Sequence, residues 1–485
     1  MAGLRPTLQC TPNGVGRQAE PLGIRAAGRT RRRIELAMRR DVMLSLADAR
    51  ARILGLAEPA DPIEVPLVDA AGLVLAEPLI ADVDSPPFDR AAHDGYAVRA
   101  VDAHAGAYLR VVGPARGWGG RTRAGQEGRG RKRSKATAAL ALPTPTAAEL
   151  AINPGEAAHV TAGAPLPMGA DAVVRTEDTR PERGVGAPHT LLVTRGVTEG
   201  QNVVARGEYL RAGDPLVPAG SRIRLPMIGL LASQGCVHPV CHRRVRVAVF
   251  AVGDHLVGPG EAPVMHRERN GSGPAVVAPC LHWGAIAHDL GAVHERELTA
   301  TLHRALSASV VVVLGEPEGA IPRALKKAGV RMEFEGVSLH PGKRLSYGVW
   351  RDDLDRVQHH VFHLAPGPVG VMAGVALLIG PLIARLQGGP ADPPAFLRAV
   401  WNGPTHRPTD DRHWAVPVTL AVGEDARLRA TPLEHRGKDD LPGFAKAEAL
   451  AVLPPRDGPW ERESVVEVAP LGAWPPGSPA PSAWA

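Results

Sequence analysis

The chain has 485 residues, 44% hydrophobic and 22% charged, the composition of a globular protein too long for a single core. Its net charge of +6 is uneven: residues 1–42 and 116–135 together carry +13, leaving −7 for the rest, and neither basic segment interleaves aromatics at stacking spacing, so no nucleic-acid partner is expected. Four cysteines make no disulfide framework and no run is read as the 18 or so apolar residues a membrane span needs, so a cytoplasmic protein with no membrane partner is expected.

Residues 1–42 hold Arg, Gly and Pro without an apolar period and are expected to form a disordered basic tail. Thr30-Arg31-Arg32-Arg33 does not read as an export signal, because Glu35, Arg39, Arg40 and Asp41 interrupt any apolar region behind it. The productive chain is read to begin at Met43. There Leu44, Leu46, Ala49, Ile53 and Leu56 fall near helical spacing, with Ser45 as cap and Asp48 three residues on. Strand-like pieces at Ile63–Leu67 and Leu73–Leu75 precede the stretch SPPFDRAAHDGYAVRA, Ser85–Ala100. Its Asp94-Gly95-Tyr96-Ala97 lies on an apparent loop with two readings. Either it is a favoured Asp-Gly turn, or Asp94 offers a carboxylate to a cation while Tyr96 offers a ring and a hydroxyl.

A low-complexity Gly/Arg insert, 117–150 with its Ala/Pro/Thr-rich continuation, interrupts a β-rich region. Short β-prone pieces follow at Ala158–Thr161, Ala172–Thr176, Thr190–Thr194 and Leu216–Val217, then a short helix over Leu225–Gly235. Within Val160–Val174, VTAGAPLPMGADAVV, Gly163 allows backbone N–H groups to approach an anion and Thr161 adds a hydroxyl. The competing reading is a hairpin stiffened by Pro165 and Pro167. Glu208 stands in Arg206-Gly207-Glu208 before a turn at Arg211–Asp214. Cys236, His238, Cys241 and His242 have a spacing that is not a standard zinc pattern and lack a second ligand pair.

From Arg243 the texture becomes α/β. Val245–Ala251, a strand after Gly284–Gly291, Val310–Leu314 and Val361–Leu364 alternate with helices at Ala275–Trp283, Leu298–Leu306, Arg323–Ala328 and Val369–Leu386. This alternation argues a doubly wound parallel sheet, whose ligands bind outside the carboxyl ends of the strands. Those ends are Gly253-Asp254, the GEPEG that starts at Gly315, and Ala365-Pro366-Gly367-Pro368 at a helix start. Asp254 would hold Mg²⁺ or a substrate hydroxyl there. His340-Pro341-Gly342-Lys343-Arg344 sets two cations on a glycine turn, suited to phosphate or to a plain solvated turn. Past Gly388, short strands at Trp414–Val422, Leu428–Thr431 and Val465–Val468 suggest a terminal β domain. No G-x-G-x-x-G follows a strand, which disfavours a pyridine-nucleotide enzyme.

Several of these stretches fall in a familiar order. PPFDRAAHDGYAVRA resembles PPFDNSAMDGYA, VTAGAPLPMGADAVVRTED resembles TGAPLP-GADAVV-E, and GQNVVARGEYLRAGDPLVPAGSRI resembles G-N-R-GED-G-G-L. AVFAVGDHL is similar to the TGDEL strand end, VSLHPGKRLSYG to KPGKP, LAPGPVGV to LPGNPVSA, and GKDDLPGFAKAEALAVLP to a C-terminal SG-L-S-A-A-G-L-LP run. From about Met43 onward the chain is thus identified as a divergent member of the MoeA family of molybdopterin molybdenumtransferases, related to the molybdenum-inserting part of gephyrin.

The resemblance implies a multidomain α/β plus β fold: a disordered tail at 1–42, an N-terminal and linker region at 43–242, a MogA-like molybdopterin-binding α/β domain at 243–388, and a C-terminal β domain at 389–485. It implies an elongated homodimer that inserts molybdate into adenylylated molybdopterin with Mg²⁺ and releases AMP, with a MogA-type adenylyltransferase as a candidate partner. Catalytic and metal roles carry over to Asp94, Glu208 and Asp254. Cofactor-binding roles carry over to Tyr96, Thr161, Gly163, Gly253, Ser272, Gly315, Lys343, Pro366 and Gly367. Several loops depart from the family pattern. Ala162 replaces the Thr of TGA, His255 the Glu of TGDEL, and Asn270-Gly271-Ser272-Gly273 the DSN segment. GEPEG stands for GGVS, His340 and Arg344 flank the KPGKP turn, PGNP has lost its Asn, and Lys438-Asp439 stands for SG. These losses make a catalytically impaired pterin-binding or scaffold protein the alternative reading.

Overall fold

The computed structural model describes residues 43–114, 150–182, 190–389, 396–434, 436–437 and 440–472. The expected tail at 1–42, most of the insert at 117–150 and the Lys438-Asp439 pair lie outside the described residues. The chain divides into two compact units, one running to Pro62 and resuming at His242, the other Ile63–Cys241.

The first unit opens with helix α1, Leu46–Gly55, whose cap is the expected one: Ser45 Oγ accepts the Asp48 N–H at 3.0 Å. Leu46, Ala49 and Ile53 form its buried stripe.

The second unit is built on a six-stranded sheet. Its strands are β1 (Gly95–Val98), β2 (Tyr108–Pro114), β3 (Glu156–Val160), β4 (Ala172–Arg175), β5 (Thr179–Glu182) and β6 (Thr190–Val193), in the order β4-β1-β3-β2-β6-β5. Gly95–Val98 is therefore not a loop but an interior strand, antiparallel to β3 on one side and β4 on the other. Gly95 is required by packing, since a Cβ there would overlap the Val174 carbonyl oxygen. Nor is Val160–Val174 a hairpin: it is the connection that carries the chain across β1. Of the two early strand-like pieces only Pro62–Glu64 forms a strand. Leu67–Asp69 is a 3₁₀ turn, and Val74 and Leu75 make isolated bridges to Arg222 and Cys241. Helix α2, Leu225–Ser233, ends at Gly235, whose φ of +72° suits glycine.

Back in the first unit, a mixed sheet forms the core. It contains β7 (Arg246–Val252), β8 (Ile286–Val293), β9 (Val310–Leu314), β10 (Arg331–Glu335), β12 (Leu345–Arg351) and β13 (Val357–Leu364), with β11 (Val337–His340) leaving for another sheet. The order is β8-β7-β9-β13-β12-β10; the first four strands are parallel and the last two antiparallel. Side chains alternate between two cores. Val247, Val249, Val310 and Val312 face one with helices α3 (Ser272–His282) and α6 (Pro368–Leu386). Phe250, Val311 and Val313 face the other with α4 (Leu298–Ala305) and α5 (Ala320–Lys327). The α3 connection crosses one face and the α4 connection the other, so the winding reverses between β7 and β9.

Helix α6 corrects an expectation. With 19 residues and a mean hydropathy of 2.0 it is long and apolar enough to cross a membrane, yet 78% of that span is buried within its own unit. Leu377, Leu378 and Ile379 have no exposed surface, as in a core helix. The last strands, β14 (Leu397–Trp401), β15 (His413–Val422), β16 (Leu428–Pro432), β17 (Ala449–Leu453) and β18 (Val465–Pro470), pair in a ring, β15-β16-β14-β18-β17-β15, around Trp401, Val418 and Val468.

In the α/β core the Tyr347 hydroxyl and His360 Nδ1 lie 2.7 Å apart, both buried, and burial pushes the His360 pKa down to about 4. The folded state thus keeps this ring neutral while the unfolded chain protonates it below about pH 6.5. Stability is expected to fall as pH drops from about 6.5 to 4, by up to about 1.4 kcal/mol per unit for this proton. Urea denaturation of the wild type and His360→Gln should show a slope against pH that is shallower by one proton in the variant; equal slopes would contradict the assignment.

Candidate functional site

In the Ile63–Cys241 unit the predicted site residues converge on one segment, Ser85–Asp94. Its backbone has no ladder of its own beyond Arg90–Ala91, which pairs with Val203–Val204, so its polar groups are met by two neighbouring loops. From one side Tyr209 N donates to Ser85 O at 2.9 Å, Gly207 N to Pro86 O at 2.9 Å, and Arg206 N to Asp89 Oδ1 at 2.7 Å. From the other, Gly163 N donates to Ala91 O at 2.8 Å and Leu166 N to Asp89 O at 3.0 Å. Gly163 and Gly207 adopt φ of +83° and +68°, backbone conformations that favour glycine.

The segment's carboxylates divide by role. Asp84 Oδ1 accepts from Ala212 N at 2.9 Å and its Oδ2 from Arg206 Nε at 2.5 Å; the backbone donor first, then the guanidinium, hold its pKa below the usual carboxylate range. Asp84 and Asp89 are thus braces that the sequence reading did not identify. Asp94, exposed at the entry to β1, is fixed by Ala162 N on Oδ1 at 2.7 Å. Glu208, also exposed, takes Ala205 N on Oε2 at 2.9 Å. Each keeps its second oxygen without a protein partner among the described residues. Thr161 stands exposed on the Gly163 loop, and Tyr96 packs its ring edge-on against His159 at 5.3 Å.

In the other unit the predicted residues follow the carboxyl edge of the parallel strands. Gly253 N donates to Val293 O and Gly315 N to Leu364 O, both at 3.1 Å, so the loops after β8, β7, β9 and β13 stand side by side. Asp254 does not stand free: Oδ1 lies 3.0 Å from His294 Nδ1 and accepts Glu295 N at 3.2 Å. The imidazole bond, then the backbone donor, lower its pKa. His294 lies 40 residues from Asp254, and no local pattern pointed to it. Ser272 opens α3, where buried Asn270 accepts the Gly273 N–H at 3.0 Å.

Lys343, Pro366 and Gly367 come together on the wall of a cavity of about 840 Å³, which the edge shares with the closed C-terminal sheet. Glu316, next to Gly315, also lines it; Gly253, Asp254 and Ser272 do not. The Lys343 turn joins β11 to β12, with Gly342 at φ +124°. Gly367 caps α6 at φ +135° and Pro368 begins it. Arg344 and Arg412 are paired with Glu318 and Asp410, whereas Lys343 has no ion-pair partner among the described residues. Among the described residues no three His, Cys, Asp or Glu side chains gather to hold a metal; Asp94, Glu208 and Asp254 do not form such a group.

The bracing role of Asp84 is directly testable. Asp84→Ala should speed amide exchange over residues 205–212 by about ten-fold or more, because the hydrogen bonds from Ala212 N and Arg206 Nε are lost. Unchanged exchange there would show that Asp84 does not hold the Glu208 loop.

Comparison with known proteins bears on both units. Residues 44–235 match the family model of the MoeA N-terminal region (domain I and II). Molybdopterin molybdenumtransferase 1 of Mycobacterium tuberculosis is 32% identical over 401 residues, covering 80% of this chain and 85% of that protein. Molybdopterin molybdenumtransferase of Staphylococcus epidermidis is 25% identical over 418 residues, covering 84% and 89%. The crystal structure of a molybdopterin biosynthesis MoeA protein from Pyrococcus horikoshii shares the fold, with a TM-score of 0.71 at 24% identity over 89% of this chain and 100% of that one. The extent and identity of the mycobacterial match decide the assignment: the chain belongs to the MoeA family of molybdopterin molybdenumtransferases.

Proposed function

We propose that this chain inserts molybdate into adenylylated molybdopterin and releases AMP, with Asp94 and Glu208 organising Mg²⁺ and molybdate and Lys343 binding phosphate. Family membership itself makes the chain a transferase of molybdenum cofactor biosynthesis. The observation that supports the residue roles is the state of Asp94, held by one backbone bond on one oxygen and presenting the other at the mouth of an interior strand.

Mg²⁺ is usually bound through one or two carboxylates plus waters and substrate phosphates, not by an all-protein cage. Asp94 and Glu208 fit that demand, since each carboxylate is oriented through one oxygen and open at the other. When bound, the ion neutralises charge on phosphate oxygens. Asp254 meets the same criterion at the strand-end loops, since His294 and Glu295 both engage its Oδ1 and its Oδ2 has no partner among the described residues. Lys343, on a glycine turn and without an ion-pair partner among the described residues, supplies a cation to an anionic ligand in the cavity. The first turn of α6 lines the same space through Gly367, Val369 and Gly370, which places a helix N-terminus beside it. Gly163, Thr161 and Tyr96 shape the approach to Asp94. On this reading the protein works in the cytoplasm as a homodimer and receives its substrate from a MogA-type adenylyltransferase.

Asp94→Ala should lower molybdate-dependent AMP release from adenylylated molybdopterin by about 10²-fold or more, the scale for loss of a transition-state charge contact. The melting temperature should stay near that of the wild type, since Asp94 is exposed. Undiminished AMP release by a folded Asp94→Ala protein would overturn the assignment.

A further inference from the structure

The cavity beside Lys343 contains an imidazole in a charged setting. His340, the last residue of β11, sets its ring 4.0 Å from the Trp414 indole at an interplanar angle of 34°. His406 meets the same indole edge-on at 5.0 Å. All three residues line the cavity, and His340 is neither buried nor fully exposed. The indole fixes the plane of the His340 ring, so its orientation is set before any ligand arrives.

The charged and titratable groups that face His340 are Arg412, Asp410, His406 and Lys343. Arg412 and Asp410 satisfy one another, with Nε to Oδ2 at 2.8 Å. Arg344 lies 3.6 Å from Glu318. Glu316 is the only carboxylate among the described residues of the cavity wall. The space therefore offers an anion one unpaired ammonium, a helix N-terminus and an imidazole, with little negative charge to oppose it. Burial first, and the Arg412 guanidinium next, disfavour a proton on His340 while the cavity is empty. An entering anion reverses that balance, because an imidazolium beside it becomes a charge-assisted donor.

We propose that His340 is an oxyanion ligand of this cavity that acts as imidazolium, so that a tetrahedral oxyanion and a proton enter together. The inference rests on the reading that the cavity receives the anionic substrates, either molybdate itself or the phosphate of the pterin. The proton comes from solvent and returns to it when the anion leaves, so no other reactant is needed. Affinity then rises as pH falls, by up to about ten-fold per unit between the imidazole's pKa in the empty and the occupied cavity.

The test is titration calorimetry of the full chain at pH 7 with sodium molybdate, with sodium sulfate, and with adenylylated molybdopterin. Each is run in two buffers of different ionisation enthalpy. Molybdate and sulfate hold their charge at this pH, so proton uptake reports on the protein. Wild type should take up about one proton per anion at saturation of the linkage. His340→Lys should bind with no uptake and with affinity independent of pH between 6 and 8, and His406→Gln should keep the uptake. Uptake with molybdate and sulfate assigns the site to the free oxyanion; uptake only with the pterin assigns it to the substrate phosphate. Binding by the wild type without proton uptake would overturn the inference and leave the proposed function standing. Uptake that survives in His340→Lys but is lost in His406→Gln would also overturn it. Absence of binding by every ligand, in wild type and His340→Lys alike, would defeat the proposed function and this inference with it.

Discussion

A parallel strand that is apolar on both faces is stable only where helices cover both sides of it, and Val310–Leu314, buried throughout, imposes that condition on the larger unit. Val311 and Val313 demand one helical layer and Val310, Val312 and Leu314 the other. Once α3 and α6 lie on one face and α4 and α5 on the opposite one, the carboxyl edge is left as the place for loops free to carry polar function. The loops there are constrained in turn. A Cβ on Gly315 would lie 3.1 Å from the Val252 carbonyl oxygen and 2.5 Å from Ile321 Cδ1, so a larger residue in the turn after β9 would press on β7 and displace the Ile321 side chain of α5. Core packing and the cavity wall are thus two consequences of one sheet.

The smaller unit solves a different problem, how to hold an irregular segment in place. Ser85–Asp94 contributes few strand bonds, and its backbone is satisfied by loops from around residues 163 and 207. Asp84 and Asp89 spend both or one of their oxygens on those loops, while Asp94 and Glu208 each spend one and keep one. Backbone donors and Arg206 compensate the braced carboxylates and leave one oxygen each on Asp94 and Glu208 without a partner among the described residues.

Much of this was legible in the residues where the signal is local. The α1 cap at Ser45, the apolar runs at Val245–Ala251 and Val310–Leu314, and the α4 helix all carry their own period or turn chemistry. Gly95–Val98 was not legible, because Asp-Gly reads as a turn and the strand exists only through pairing with β3 and β4, tens of residues away. Strand β10 escaped notice for a related reason: Arg331, Glu333 and Glu335 break the apolar pattern at the sheet's edge. Of the candidate site, Asp94, Glu208 and Lys343 stand within short motifs, which is why the sequence singles them out. His294, Asp84 and the Trp414 wall act through contacts across long sequence separations, which no motif records.

On the proposed function, a chain with altered cavity loops still performs the insertion. The most direct measurement is genetic: expression of this chain in a bacterial strain that lacks molybdenum insertion, grown at ordinary molybdate, with a molybdoenzyme activity as readout. Restored activity is expected. Soluble, abundant protein without rescue would contradict it and would favour a pterin-binding protein that no longer catalyses.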